Sequence, residues 1–361
     1  MIRTGADVGT PMSARAMFDR IPVVDVGGLA SPELDVRRAV ARDLDEAART
    51  AGFLYIANHG VPEARRAALL DAATRFFDEP AAVKMRYYIG LSKNHRGYVP
   101  PGEEEFYGQT KDTKEAFDLA LDLPADDADY LAGNRLLGPN VWPEEVADFK
   151  TGISAYYASV LDLGKRLLRG FALALGLSER HFDEQVQKPP SQLRLVHYPP
   201  DSGADVTTTG IGAHTDYECF TILYTTAPGL EVLNPEGAWI DAPPVPGAFI
   251  VNIGDLFEVL TNGTWVSTTH RVRKVTNHRY SFPLFFNLDY HTRIEPLPSF
   301  VEARGGPRYG SVGAGDHLLA QTMQSFGYLK RALASGELRL PEHTLGLASF
   351  ARDGARQRTG R

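Results

Sequence analysis

The spacing of apolar positions changes character about halfway along the chain. IPVVDV (21–26) is a short β-branched run and predicts a strand. Val36, Val40, Leu44 and Ala47/Ala48 then recur at helical spacing, with Ser31 or an adjacent polar residue as the expected cap and Gly52 as the stop. FLYIA (53–57) predicts a second strand, and HGVPEARRAALLDAATRFFD a helix with Pro62 near its first turn. The stretch from Ser92 to Thr113 is rich in glycine, proline and charge and predicts a long loop, with residues 94–108 as a candidate lid. EAFDLAL (115–121) predicts a strand, and the run from Glu144 to Leu177 a long helix that buries one face through Phe149, Ile153, Tyr156/Tyr157, Val160, Leu161, Leu167 and Leu168.

Beyond Pro190 the helical period gives way to short runs separated by Gly, Pro, Asn and Asp. QLRLVHY, CFTILYTT, LEVLN, AFIVNIG, THRVRKV and RYSFPLFFNL are the strand candidates, and their regular spacing predicts a sandwich or barrel. HLLAQTMQSFGYLKRALASG (317–336) reads as one helix followed by a frayed end. The expected class is α+β, in one cooperative unit. Its parts are a flexible tail (1–20), an N-terminal α/β region (21–185), a β core (186–300) and a C-terminal helix with its tail (301–361).

Composition narrows the function classes. Of 361 residues, 43% are hydrophobic and 23% charged, as in a globular protein. A net charge of −7, with no basic block interleaved with aromatics, argues against nucleic acid as a partner. Cys219 is the only cysteine, which rules out an intrachain disulfide and a cysteine-rich zinc site and suits a reducing, cytoplasmic setting. LLRGFALALGL is interrupted by Arg169 and too short for a bilayer, so no membrane span is expected. The oligomeric state is not legible.

The chemistry concentrates in GIGAHTDYECFTIL, where His214 and Asp216 stand between a glycine-rich turn and an apolar run. That pair alone is weak, since His181/Asp183 and Asp289/His291 show the same spacing. His270, opening the strand THRVRKV, supplies a third donor that only strand pairing could bring near. Two histidines and one carboxylate form the facial triad of non-haem iron(II) oxygenases, with three positions left for a chelating co-substrate and dioxygen. Zinc catalysis uses similar donors, but usually with the HExxH spacing, which is absent.

Nine residues after His270, Arg279 and Ser281 share one strand face. A buried guanidinium needs a partner and matches a carboxylate, so the pair predicts a receptor for the distal carboxylate of a small dicarboxylic acid.

Taken in order, IPVVDV, GFLYIANHGVP, FFDEP…K…GY, TKEAFDL, RLVHYPP, HTD…H and RYS resemble the isopenicillin N synthase-like 2-oxoglutarate/iron(II) oxygenases over residues 21 to 335. The resemblance implies a double-stranded β-helix (jelly-roll) core, Fe(II) on His214, Asp216 and His270, and 2-oxoglutarate and O2 as co-substrates, with Arg279 and Ser281 on the far carboxylate. It also implies a small-molecule substrate oxidised at a C–H bond, with release of succinate and CO2. Tyr198 matches a family tyrosine near a bound carboxylate, and Arg194 is an extra anion partner as in the ethylene-forming branch. Val196 departs from the asparagine of many plant members. The synthase and the plant ethylene-forming oxidase use the same triad without 2-oxoglutarate, so a co-substrate-independent oxidase is the alternative. A non-enzymatic jelly-roll binder or a zinc hydrolase is a more distant one.

Among other residues, His59 reads as a turn or packing histidine, Cys219 as core, and Pro283 as a sign of an edge strand or bulge. Residues 210–212 lack the helix and lysine of a phosphate loop. Strand alternation and position suggest Tyr217, Leu223 and Phe285 as substrate-facing.

Overall fold

The structure, a computed structural model, describes residues 17–104, 113–200, 209–342 and 344. Among these residues, twelve strands build two facing sheets. They are β1 (Val23–Asp25), β2 (Phe53–Ala57), β3 (Gly97–Val99), β4 (Glu115–Leu119), β5 (Gln192–Tyr198), β6 (Thr209–His214), β7 (Phe220–Thr225), β8 (Leu230–Leu233), β9 (Trp239–Asp241), β10 (Phe249–Ile253), β11 (His270–Arg273) and β12 (Arg279–Phe286). The major sheet runs β1-β2-β10-β7-β12-β5-β4-β3 and the minor sheet β6-β11-β8-β9. This is the jelly-roll core on an α+β plan. Strands of the N-terminal region extend the same sheet that carries β5, β7, β10 and β12, so the two halves share one hydrogen-bonded layer.

Alternation decides what each face of the major sheet meets. Phe220, Ile222, Phe282, Leu284 and Phe286 point outward and are buried against the helices Leu34–Thr50, Glu63–Asp78 and Phe149–Ala174. Phe171 on the long helix lies 5.2 Å from the Phe220 ring and 5.5 Å from Trp265. Each such ring contributes about 2 kcal/mol by leaving water. The opposite face looks across to the minor sheet, and the space between them holds the candidate site.

Several elements differ from the sequence-based expectation. GIGAH is not a turn but the strand β6, bonded to β11 through an irregular register. The long helix starts at Phe149, because Asp148 takes a left-handed conformation (φ 61°) that the preceding segment cannot carry into a helix. The first helix begins at Leu34, with a 3₁₀ turn over Gly27–Ala30 before it. The expected helix over 317–336 is two helices, Ala314–Ser325 and Gly327–Ala334, separated at Phe326. Phe326 is extended (φ −92°, ψ 131°) and bridges Glu104, while the Gly327 amide donates to the Glu103 carbonyl at 2.8 Å. Pro283 sits in an interior strand rather than at an edge. The β12 ladder to β5 runs through Ser281 and Leu284 without a bridge at Pro283, so its missing N–H costs no bond there. Among the described residues no helix is long and apolar enough to cross a membrane.

Candidate functional site

The three candidate metal ligands converge through strand pairing. His214 ends β6, His270 opens β11, and the two are direct partners in the antiparallel ladder. Asp216 lies two residues beyond β6. The three ligand atoms all lie within 4.8 Å of one another, and this is the only such cluster among the described residues. Asp216 Oδ1 is 3.6 Å from His270 Nε2 and 3.8 Å from His214 Nε2.

Neighbours fix which atoms are free. His214 Nδ1 lies 2.8 Å from the Gly212 carbonyl oxygen and His270 Nδ1 3.0 Å from that of Thr268. Each ring therefore donates from Nδ1 and presents Nε2 as a lone-pair donor. Asp216 Oδ2 accepts from Asn252 Nδ2 at 2.7 Å and from the Thr221 hydroxyl, which leaves Oδ1 for a metal. Two imidazole nitrogens and one carboxylate oxygen aimed at one point suit iron(II). Burial would raise the Asp216 pKa, but His270, His214, Asn252 and Thr221 outweigh it and hold the group below the usual carboxylate range. Burial, reinforced by His270, pushes His214 down to about 4, so the ring is neutral and able to ligate near pH 7.

A close backbone approach holds this loop in place. A Cβ on Gly254 would stand 2.2 Å from the Glu218 carbonyl oxygen, so only glycine lets the end of β10 lie against residues 216–219. The Gly254 amide then donates to Cys219 O and the Asp255 amide to Asp216 O, both at 2.9 Å.

Arg279 and Ser281 lie on the cavity face of β12, and Arg279 pairs in register with Tyr198 on β5. Arg279 is fully buried. Its Nε donates to Ala227 O at 3.1 Å, its guanidinium carbon lies 4.6 Å from the Tyr198 ring centre, and Nη1 and Nη2 have no hydrogen-bond partner. Burial lowers its pKa, an effect opposed by Tyr198. A buried guanidinium with two idle donors costs about 3–5 kcal/mol unless an anion meets it. Ser281 Oγ donates to Thr225 Oγ1 over a long 3.3 Å, a bond that a carboxylate could replace.

Arg194 corrects an expectation. It lines the same cavity, but Asp118 takes its Nε and Nη2 at 2.8 and 2.9 Å and Glu104 takes Nη1 at 3.0 and 3.1 Å. Its donors are committed to these two carboxylates, so it is not a spare anion partner. Lys114 also pairs with Glu104. Burial would raise the Glu104 pKa, yet Arg194 and Lys114 bring it down to about 2.

Tyr217, Leu223 and Phe285 all line the cavity. The other candidates fall elsewhere. Asp183 pairs with Arg169, His291 with Asp129, and Asp289 accepts from the Gln187 and Lys188 amides. His59 stacks on Phe249 at 4.0 Å, as a packing histidine does. Of the proposed lid, His95 and Glu104 line the cavity and residues 105–108 lie outside the described residues. Asn252, Gln192 and Lys114 are cavity residues that sequence reasoning missed. Asn252, a polar residue inside the apolar run FIVNI, was the readable signal.

Comparison with known proteins agrees with this geometry. Residues 21–145 match the family model of the non-haem dioxygenase in morphine synthesis N-terminal region, and residues 189–288 that of the 2OG-Fe(II) oxygenase superfamily. A homoarginine-6-hydroxylase from Glycine max is 34% identical over 330 residues, covering 86% of this chain and 98% of the relative. A crystal structure of a 2OG-Fe(II) oxygenase family protein from Caulobacter crescentus is 32% identical with a TM-score of 0.73, over 88% of this chain and 99% of that one. A Neurospora crassa protein, solved at full length with alpha-KG and thymine, is 26% identical with a TM-score of 0.72, over 87% and 97% of the two chains. Dependence on 2-oxoglutarate is therefore favoured over the co-substrate-independent oxidase. The chain belongs to the 2-oxoglutarate/iron(II)-dependent oxygenase family, enzymes that oxidise small molecules at a non-haem iron centre.

Proposed function

We propose that His214 Nε2, Asp216 Oδ1 and His270 Nε2 hold the iron, and that Arg279 with Ser281 holds the far carboxylate of 2-oxoglutarate. The observation that carries this reading is the fully buried Arg279, whose two terminal nitrogens have no partner, in the cavity of the triad. Bound there, iron(II) would activate dioxygen, the oxidant, whose four electrons come in equal parts from 2-oxoglutarate, which leaves as succinate and CO2, and from a substrate C–H bond.

The chain's own residues set the geometry. Asn252 and Thr221 keep Asp216 from turning its second oxygen inward, and the carbonyls of Gly212 and Thr268 hold the two rings. Tyr198 packs against the Arg279 guanidinium. Leu223, Leu230 and Val272 line the cavity with apolar surface and exclude water from the reacting groups.

The relatives differ in what they act on or bind, homoarginine in one and thymine in another. We place this chain with the hydroxylases of small metabolites. A net charge of −7 without a basic block supports a small-molecule rather than a nucleic-acid partner, and a single buried cysteine supports a cytoplasmic setting. We further propose that residues 21–185, 186–300 and 301–361 unfold as one unit, since the sheet crosses the first boundary and Phe326 bridges Glu104. Succinate release on addition of substrate, lost in Asp216→Ala, tests the site; unchanged turnover in that variant would refute it.

A further inference from the structure

We infer that Gln192 is the residue that reads the substrate, and that the group it reads is an uncharged carbonyl. The inference rests on the oxygenase reading of the cavity and adds a substrate class to it.

Its position suits that role. Gln192 pairs in register with Phe285 on β12, and Phe285 pairs with Thr221 on β7, the residue that bonds the candidate ligand Asp216. Gln192 thus stands two strands across from the metal centre, about 10 Å at ordinary strand spacing. That is the reach of a small molecule with one end at the centre and the other on β5. The co-substrate receptor lies elsewhere, since Arg279 is six residues along β12 from Phe285, or about 20 Å by strand rise.

Most polar groups around this recess are committed. Glu104 and Asp118 accept from Lys114 and Arg194. His95 Nδ1 bonds the Tyr328 hydroxyl at 2.6 Å, while its Nε2, 3.8 Å from Asp118 Oδ2, has no hydrogen-bond partner. The Thr322 and Ser325 hydroxyls donate back to Leu318 O and Gln321 O on their own helix, both at 2.8 Å. Gln192 is 5% exposed and lines the cavity, and its Nε2 has no partner; His95 Nε2 and Thr215 Oγ1 share that state, but Gln192 is the open amide donor on β5, two strands across from the metal centre. A buried amide donor without an acceptor is costly, and a ligand oxygen meets the need.

Charge selects the kind of oxygen. Around the recess Glu104 and Asp118 pair with Lys114 and Arg194, Arg96 is held by the carbonyls of Asn94, His95 and Leu136, and burial, with Arg194 and Arg96 nearby, keeps His95 neutral near pH 7. A carboxylate or an ammonium group entering here would meet only charges already paired, because the idle Arg279 guanidinium lies about 20 Å away along β12 and is taken by the co-substrate in the proposed site. A neutral carbonyl, such as that of an amide, lactam or cyclic imide, meets Gln192 Nε2 without disturbing the balance. Phe285 and Phe326, whose rings lie 5.9 and 5.4 Å from the Arg194 guanidinium, give the apolar walls for a flat carbonyl-bearing skeleton.

The test is anaerobic calorimetric titration of the protein loaded with iron(II) and 2-oxoglutarate, using benzamide, benzoate and benzylamine as size-matched probes. Benzamide should bind at least about tenfold more tightly than either charged probe, and Gln192→Leu should remove that preference. The Gln192→Leu protein should melt no lower than the wild type and bind 2-oxoglutarate unchanged, which separates lost recognition from lost folding. Gln192→Glu should shift the preference to benzylamine. Equal or tighter binding of a charged probe, an unchanged benzamide affinity in Gln192→Leu, or no benzamide binding while 2-oxoglutarate binds would each overturn the inference. Failure of the wild type to bind 2-oxoglutarate would overturn the site reading beneath it, and the inference with it.

Discussion

Arg194 and Arg279 stand on neighbouring strands, line one cavity and are both buried, yet they are in opposite states. Arg194 is clasped by Asp118 and Glu104. Arg279 has one backbone carbonyl on Nε and idle terminal nitrogens. The type of residue and its burial are alike, so the difference lies in the partners that the strands beside each provide. β4 brings Asp118 opposite Arg194, whereas the strand opposite Arg279 brings Tyr198. A saturated buried cation is structure; an unsaturated one supports the receptor proposed at Arg279.

The largest expected effect lies at the centre that both arginines flank. His214→Ala or Asp216→Ala should reduce succinate release to background while leaving the fold intact by circular dichroism. Next come the arginines themselves, which should fail in different ways. Arg194→Ala leaves two buried carboxylates short of a partner and should cost about 3–5 kcal/mol in denaturant unfolding. Arg279→Ala should weaken 2-oxoglutarate binding by about a hundredfold, measured by titration, with no loss of thermal stability because it removes an unpaired buried charge. If both variants lose mainly stability, the contrast between them is gone.

A smaller effect belongs to the groups that aim Asp216. Asn252→Ala should lower iron affinity by about 10–100-fold, and Thr221→Val should do the same while Thr221→Ser restores it. Metal titration reads this without turnover.

The smallest effect is on pH dependence. Burial holds the His95 pKa well below 6.5, so between that folded value and 6.5 the unfolded chain binds the additional proton. Stability from the neutral ring is therefore complete above pH 6.5 and falls as pH drops below it, by at most about 1.4 kcal/mol per unit for one group. His95→Asn should flatten the decline in melting temperature below pH 6.5; an unchanged slope would remove His95 from the account.

What could be read in advance followed from local spacing. Helical and strand periods placed most elements, and strand alternation put Arg279 with Ser281 on one face and Leu223 on the cavity side. The partners of Arg194 were not legible, since Asp118 lies 76 positions away and meets it only once β4 pairs with β5. The same holds for Gln192, an ordinary residue until its lack of a partner is visible. The helix break at Phe326 was hidden because it depends on a bridge to Glu104 on the far side of the chain. Pro283 misled for a physical reason: an interior strand tolerates proline where the ladder has no bond to lose.

The central claim is that the idle nitrogens of Arg279 await the co-substrate's carboxylate. Its most direct test is anaerobic titration of the iron(II)-loaded protein with 2-oxoglutarate, following the weak visible charge-transfer band of the bidentate chelate. The account predicts a band that saturates in the wild type and, in Arg279→Ala, saturates only at much higher 2-oxoglutarate. A band that forms equally readily in both proteins would contradict it.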